Sequence, residues 1–206
     1  MGVIKRNGIY LIDTAKINNV SLATIAKING QTLTRSYVSA YPPAHSDTYV
    51  KATTKFGTDR WPYFTTDPAK PLTGVSANNE WLAQDQVVTN QRFHIDLGAT
   101  RVIKRIYYEN RHNAGANTNG GARNFTFWGS NSGSSFAELT YNINTGWVQL
   151  TTSATYLDQH AAVDASDPKY ITVTNTTAYQ YYAFKFADNY GHTVLGVRRI
   201  VLQVVG

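Results

Sequence analysis

From Arg92 onward, apolar and polar residues alternate with a period of two. Phe93, Ile95 and Leu97 fall on one face and His94 and Asp96 on the other, the pattern of a half-buried strand, and Gly98 permits a tight turn after it. Val102 to Tyr108 is rich in β-branched and aromatic residues and predicts a second strand, and Asn124 to Trp128 predicts a third. Between them Asn113 to Gly121 is built from Asn, Gly and Ala with a single Thr, which marks a long exposed loop. Strands hold such a loop in a fixed place while its tip stays free to meet a partner.

The same pattern extends in both directions. Tyr179 to Phe186 and Val194 to Val205 read as closing strands, the second with Ile200, Leu202 and Val204 on its buried face and Arg199, Val201 and Gln203 on the other. Upstream, Arg35 to Gln91 is loop-rich, punctuated by Pro42, Pro43, Pro62, Pro68 and Pro71, with strands expected only in Tyr37–Ala40 and Tyr49–Thr54. Ser134 to Leu139 suits one helical turn, and Thr151 to Lys169 is a long polar segment. The expected fold is all-β, a jelly-roll sandwich of about eight main strands in two antiparallel sheets. It occupies residues 35–206 and is preceded by a small β or extended arm, residues 1–34.

The arm contains a repeat with a step of eleven, Lys16-Ile17-Asn18-Asn19 against Lys27-Ile28-Asn29-Gly30. Two copies fall short of a solenoid, which needs about three units to bury a shared core. Asn-Asn and Asn-Gly favour turns with positive φ, so a pair of short strands or turns is expected. A small apolar face of this kind is hard to bury alone. The arm is therefore expected to pack on the main domain, on a neighbouring subunit in a homo-oligomer, or on a larger assembly.

Composition narrows the function. Fourteen tyrosines and four tryptophans against one methionine agree with a β-rich chain. The absence of cysteine excludes a disulfide framework and thiolate metal sites. A net charge of +6, from 19 basic and 13 acidic residues, favours acidic partners at long range. The basic residues are scattered, with no nucleic-acid arm. No stretch is apolar enough to enter a bilayer, and the first residues show no signal peptide because Asn7, Gly8 and Asp13 interrupt any apolar run. Neither a G-x-S-x-G nor an H-E-x-x-H pattern is present. The group Asp158, His160, Asp164 and Asp167 follows no known ligand spacing and reads as a solvated loop with Asx turns. No enzymatic activity is expected.

Several of these segments carry a resemblance. Ile95-Asp96-Leu97-Gly98, the next strand ending in Asn110-Arg111, Asn124 to Asn131, Trp147-Val148-Gln149-Leu150 and Tyr181 to Phe186 together resemble the discoidin family, the coagulation-factor C domains and related galactose-binding modules. The similarity covers roughly residues 50–206. It implies a galactose-binding-like sandwich and a carbohydrate ligand. The family often holds a calcium ion with a glutamate near the start of the last strand. Here Arg199 takes that place and Phe56-Gly57-Thr58-Asp59 lacks the usual turn, so a cation would be repelled and no metal or cofactor is expected. Short arm segments such as Lys27-Ile28-Asn29-Gly30 resemble pieces of phage tail and other virion proteins.

Sugars need planar polar groups for their hydroxyls and an aromatic face for their C–H side. Arg111, His112 and Asn113 at a strand exit, with Tyr190 and His192 in the last loop, supply both. Trp61 and Trp81 lie in the irregular region and are either ligand platforms or plugs at one end of the core. For Arg111 the alternative is a structural ion pair, and for His112 a turn hydrogen bond. Trp128, within a strand, is assigned to the core. The expected function is a non-catalytic, lectin-like module for adhesion or receptor binding, extracellular or on a virion, with a glycan as partner and virion proteins meeting residues 1–34. The alternative is a structural protein of a phage tail or similar particle whose sandwich binds no sugar.

Overall fold

The structure, a computed structural model, describes residues 36–206 in full and, before them, only the backbone of six short strands. Two compact units result, Met1–Ser36 and Tyr37–Gly206. In the first, β1 (Val3–Arg6) pairs with β2 (Ile9–Ile12), β3 (Lys16–Ile17) with β4 (Val20–Ser21), and β5 (Lys27–Ile28) with β6 (Gln31–Thr32), all antiparallel. The innermost pairs are Arg6↔Ile9, Ile17↔Val20 and Ile28↔Gln31, so two residues separate the strands each time, as in the shortest hairpins. The eleven-residue step thus has a third, earlier copy at Lys5-Arg6-Asn7-Gly8. Arg6 stands there where the other copies have Ile, which hid it.

The second unit is a sandwich. Its strands are β7 (Tyr37–Ala40), β8 (Val50–Ala52), β9 (Trp81–Leu82), β10 (Gln91–Arg101), β11 (Arg105–Asn110), β12 (Phe125–Ser130), β13 (Val148–Thr152), β14 (Lys169–Thr174), β15 (Tyr179–Phe186) and β16 (Gly196–Val205). One layer runs β8-β10-β15-β12-β13 and the other β7-β16-β11-β14, with β9 pairing the start of β16. The layers join along one edge, where Thr151 pairs with Thr174 and Thr152 with Val173. The chain is therefore a jelly-roll β-sandwich.

The alternation seen in the sequence fills the space between the layers. Phe93, Ile95, Phe125, Phe127, Tyr182, Phe184 and Phe186 come from one layer, and Ile106, Tyr108, Ile171, Val173, Ile200 and Leu202 from the other. Ring centroids of Phe127 and Phe184 lie 4.8 Å apart and those of Phe184 and Phe186 5.5 Å apart. Each such side chain removed from water stabilises the fold by about 1.5–3 kcal/mol.

Several local expectations change. β10 does not end at Gly98: it continues to Arg101 through an irregularity, with Gly98 at φ +67° and Pro43 packed where a side chain would start. The polar segment after Thr151 contains the start of β14, whose Ile171 and Val173 point inward. The outer face of β10 is not solvated either, because residues 131–147 fold over it. That cover begins with helix α1 (Gly133–Ala137), capped by Ser132, whose hydroxyl accepts the Ser135 N–H at 3.3 Å. Beneath it Arg92 and His94 are fully buried. Arg92 donates to the carbonyls of Thr140, Tyr141 and Ile143 and to Asn144 Oδ1. His94 Nδ1 lies 2.9 Å from the Phe136 carbonyl. Trp128 is half-buried on the outer face with Lys185 beside its ring, rather than in the core.

Candidate functional site

One end of the sandwich is organised by a buried carboxylate. Glu80, just before β9, has no exposure and lies 3.3 Å from Arg111 Nε and 3.9 Å from Arg198 Nε. A third guanidinium, Arg60, donates to Ser76 Oγ at 3.1 Å and to Asp59 Oδ2 at 2.5 Å. Arg198 reaches this place because β11 and β16 slip register between Glu109 and Asn110, and a bulge re-aims a side chain. Its remaining donors go to the carbonyls of Thr73, Gly74 and His112. Burial pushes the Glu80 carboxyl up to about 7 against the downward pull of Arg111, Arg198 and Arg60, and burial lowers both Arg111 and Arg198.

Arg111 leaves β11 into the Asn-rich loop, which wraps it. Its Nη1 donates to the Asn117 carbonyl, and Gly120 packs so close that a Cβ there would meet the guanidinium. Nη2 makes no hydrogen bond to the described residues and is not among the fully buried unpartnered atoms. One edge of the guanidinium is thus held without being used up.

The neighbouring residues divide into two groups. His112 is fully buried; its Nε2–H donates to the Leu72 carbonyl at 2.8 Å, and its Nδ1 accepts the Gly115 N–H at 3.0 Å. Its ring stacks on His160 at 4.1 Å, and burial lowers its pKa. Asn113 Oδ1 accepts the Ser76 N–H at 2.9 Å. Both side chains serve the turn, and His112 offers nothing to solvent. Tyr190 and His192, by contrast, are half-buried at the surface. Tyr190 anchors its loop by donating from Oη to the Leu157 carbonyl at 2.6 Å and from its N–H to the Asn119 carbonyl at 3.1 Å. His192 Nδ1 accepts the Val194 N–H at 3.2 Å, which leaves the proton on Nε2. Burial lowers the His192 pKa, and the Arg111 charge adds to this.

The two tryptophans do not join this group. Trp81 is fully buried, its ring 5.2 Å from that of Phe93 and 6.0 Å from that of Phe186, and so plugs the core. Trp61 is partly exposed beside a cavity of about 240 Å³, with Tyr63 stacked at 5.6 Å and the Lys55 ammonium 3.9 Å from the ring centroid. Those neighbours pack against its ring.

The structure therefore gathers Arg111, Tyr190 and His192 around the loop Asn117–Gly120, with His112, Asn113 and Trp81 inside the support. Asn117 and Asn119 are additional candidates, since their side-chain amides bond to none of the described residues. The cluster of Asn and Gly in the sequence signalled an exposed loop, but not which amides would stay free. Glu80 and Arg198 had no sequence signal, because partners more than thirty residues apart carry no local pattern. In the polar loop Asp164 accepts the N–H of Gly74, 90 residues away, at 2.6 Å and Asp167 that of Ala161, six residues back, at 2.8 Å, while His160 is buried, so these groups tie segments together rather than forming the expected Asx turns.

With this geometry in view, solved structures of the same shape are informative. The family 32 carbohydrate-binding module of C. perfringens NanJ, in complex with galactose, superposes with a TM-score of 0.52 at 13% identity, covering 82% of this chain and 100% of that one. This chain shares the fold of that module. A mutant of chitosan-binding module 1 from a Paenibacillus sp. IK-5 chitosanase/glucanase gives a TM-score of 0.51 at 15% identity, covering 75% of this chain and 92% of that one. Truncated AlyQ, with family 32 module and alginate lyase domains, gives 0.54 at 16% identity over 84% of this chain, which spans 34% of that protein. At such identities the likeness is one of fold. No protein-family profile and no curated protein matches the sequence.

Proposed function

We propose that this chain is a non-catalytic carbohydrate-binding module whose ligand meets the loop end formed by Arg111, Asn117, Asn119, Tyr190 and His192. The observation that carries this reading is the mounting of Arg111: Glu80, the Asn117 carbonyl and Gly120 fix its guanidinium, the residue keeps 4% of its surface exposed, and Nη2 makes no hydrogen bond to the described residues. A fixed planar donor beside a neutral imidazole N–H and free amides suits vicinal hydroxyls, and it loses little entropy when they arrive. The fold supports the same class of ligand. A shallow site that competes with water for each hydroxyl binds one sugar weakly, so function calls for several copies on a particle or surface outside the cell.

The test is a glycan array with the protein displayed in many copies, repeated with Asn119→Ala and His192→Ala, which remove surface groups and spare the buried cluster. Binding to a defined set of glycans, weakened about tenfold or more by either change, is the expected result. An array without hits, or hits indifferent to both changes, overturns the reading.

A second reading is favoured by the three hairpins at an eleven-residue step, which suit the arm to assembly with other copies or particle proteins. Light scattering on the full chain should then show an oligomer. A strict monomer across the accessible concentration range counts against it.

A further inference from the structure

The outer face of the four-stranded layer carries a second polar site, separate from the loop end. Strand pairing sets Arg105 opposite Gln203, Tyr107 opposite Val201 and Tyr170 opposite Tyr107, so these side chains share the face that points away from the core. Beside Arg105 lies a groove of about 290 Å³ whose floor is Arg199, Val201 and Gln203 and whose walls are Ser39, Tyr41, Tyr107 and Tyr170. The floor is buried, whereas Tyr170 is 52% and Tyr41 38% exposed. Exposed aromatic rings clustered on one sheet face are the kind of patch that marks a ligand-binding groove.

The charge on this face has one sign at its accessible points. Arg105 is pinned rather than free. Its guanidinium sits 3.8 Å from the Tyr37 ring centroid and 4.4 Å from that of Tyr170, and its Nε donates to Gln203 Oε1 at 2.6 Å. No carboxylate lies within ion-pair distance of it among the described residues. Arg199 is 5% exposed, donates from Nη2 to the Lys70 carbonyl at 2.5 Å, and keeps a buried Nε without a partner. The carboxylate on the same face, Glu109, is fully buried, and its oxygens already accept from Tyr107 Oη, Ser166 Oγ and the Asp167 N–H. A guanidinium left short of acceptors beneath an aromatic groove fits an anionic, ring-shaped ligand: a carboxylate for the arginines and a pyranose face for the tyrosines.

We infer that this groove binds an acidic sugar residue, a uronate within an oligosaccharide, independently of the loop end. The experiment measures binding of a short oligouronate, and of its carboxyl-reduced neutral counterpart, to the full chain and to Tyr170→Ala, Arg105→Gln and His192→Ala, with thermal melts confirming that each variant is folded. The oligouronate should bind, with an affinity that falls as salt rises, and the neutral form should bind at least tenfold more weakly. Tyr170→Ala and Arg105→Gln should each weaken binding about tenfold, and each by more than His192→Ala does. The inference is overturned if the oligouronate does not bind, if the neutral form binds equally well, or if both groove variants bind as the parent does. Loss of binding in His192→Ala alone also overturns it and transfers the acidic ligand to the loop end.

Discussion

Acid should destabilise this sandwich through His94, and the size of the effect follows from its surroundings. The ring is fully buried under residues 136–147, 4.9 Å from the Trp147 ring. Its Nδ1–H is spent on the Phe136 carbonyl, and its Nε2 is buried without a partner. A proton added at Nε2 would place an unsolvated charge near Arg92 and Lys51. Burial accordingly lowers the pKa from 6.5 to about 4, with Arg92 and Lys51 adding to the effect and the Phe136 carbonyl opposing it. The unfolded chain takes up this proton first, so the stabilisation is complete above pH 6.5 and is lost as pH falls toward 4. At about 1.36 kcal/mol per pKa unit the loss is about 3 kcal/mol, or a fall in Tm of roughly 6–12 °C for a domain of this size. The assay is urea unfolding of the parent and of His94→Phe at pH values stepped from neutral to acid. The phenylalanine variant should start about 1 kcal/mol less stable, having left the Phe136 carbonyl without its donor, and should lose less on acidification. Glu80, whose raised pKa acts with the opposite sign over its own range, is common to both proteins and cancels in the comparison. Parallel pH profiles for the two proteins would refute the assignment.

Three further outcomes are expected. Phe184→Ala, emptying a site between Phe127 and Phe186, should cost about 3–5 kcal/mol, read as a lower urea midpoint with an unchanged slope; a cost under about 1 kcal/mol contradicts the core described here. Gly196→Ala would bring a Cβ to 2.5 Å from the Trp81 carbonyl oxygen and against Leu82, and should cost about 1–3 kcal/mol while weakening glycan binding at the adjacent loop end. Unaltered thermal stability argues against that close approach. Arg92→Met keeps the stem but removes the donors to Thr140, Tyr141, Ile143 and Asn144, and should cost about 3 kcal/mol with faster proteolysis of residues 138–147. Cleavage at the parental rate would show that the cover is held by other contacts.

Arg111 shows how far a sequence reading of the site reaches. Its position at the exit of a strand, beside an Asn-rich loop, was legible, and so were both of its readings, ligand donor and structural ion pair. In the structure the ion pair with Glu80 holds the guanidinium, and Nη2 makes no hydrogen bond to the described residues. His112, its neighbour in sequence, turns inward to Leu72 and His160. Trp61 and Trp81 looked alike as large aromatics in loops, yet one is core and the other lies on the surface under Lys55.

The sequence alone determined the fold class, because a period of two in hydrophobicity is a local property: Phe125 and Phe127, or Ile200 and Leu202, can only face one way once a strand forms. It also pointed to turns through Gly, Asn and Pro, although at Gly98 the strand runs on to Arg101. What covers a strand's second face is not a local property. His94, Arg92 and Arg199 occupy positions that alternation assigns to solvent, and they are buried because segments 42 to 129 residues away in the chain fold over them. Only the tertiary structure decided those burials, because desolvating a polar group depends on which distant carbonyls arrive to replace its water.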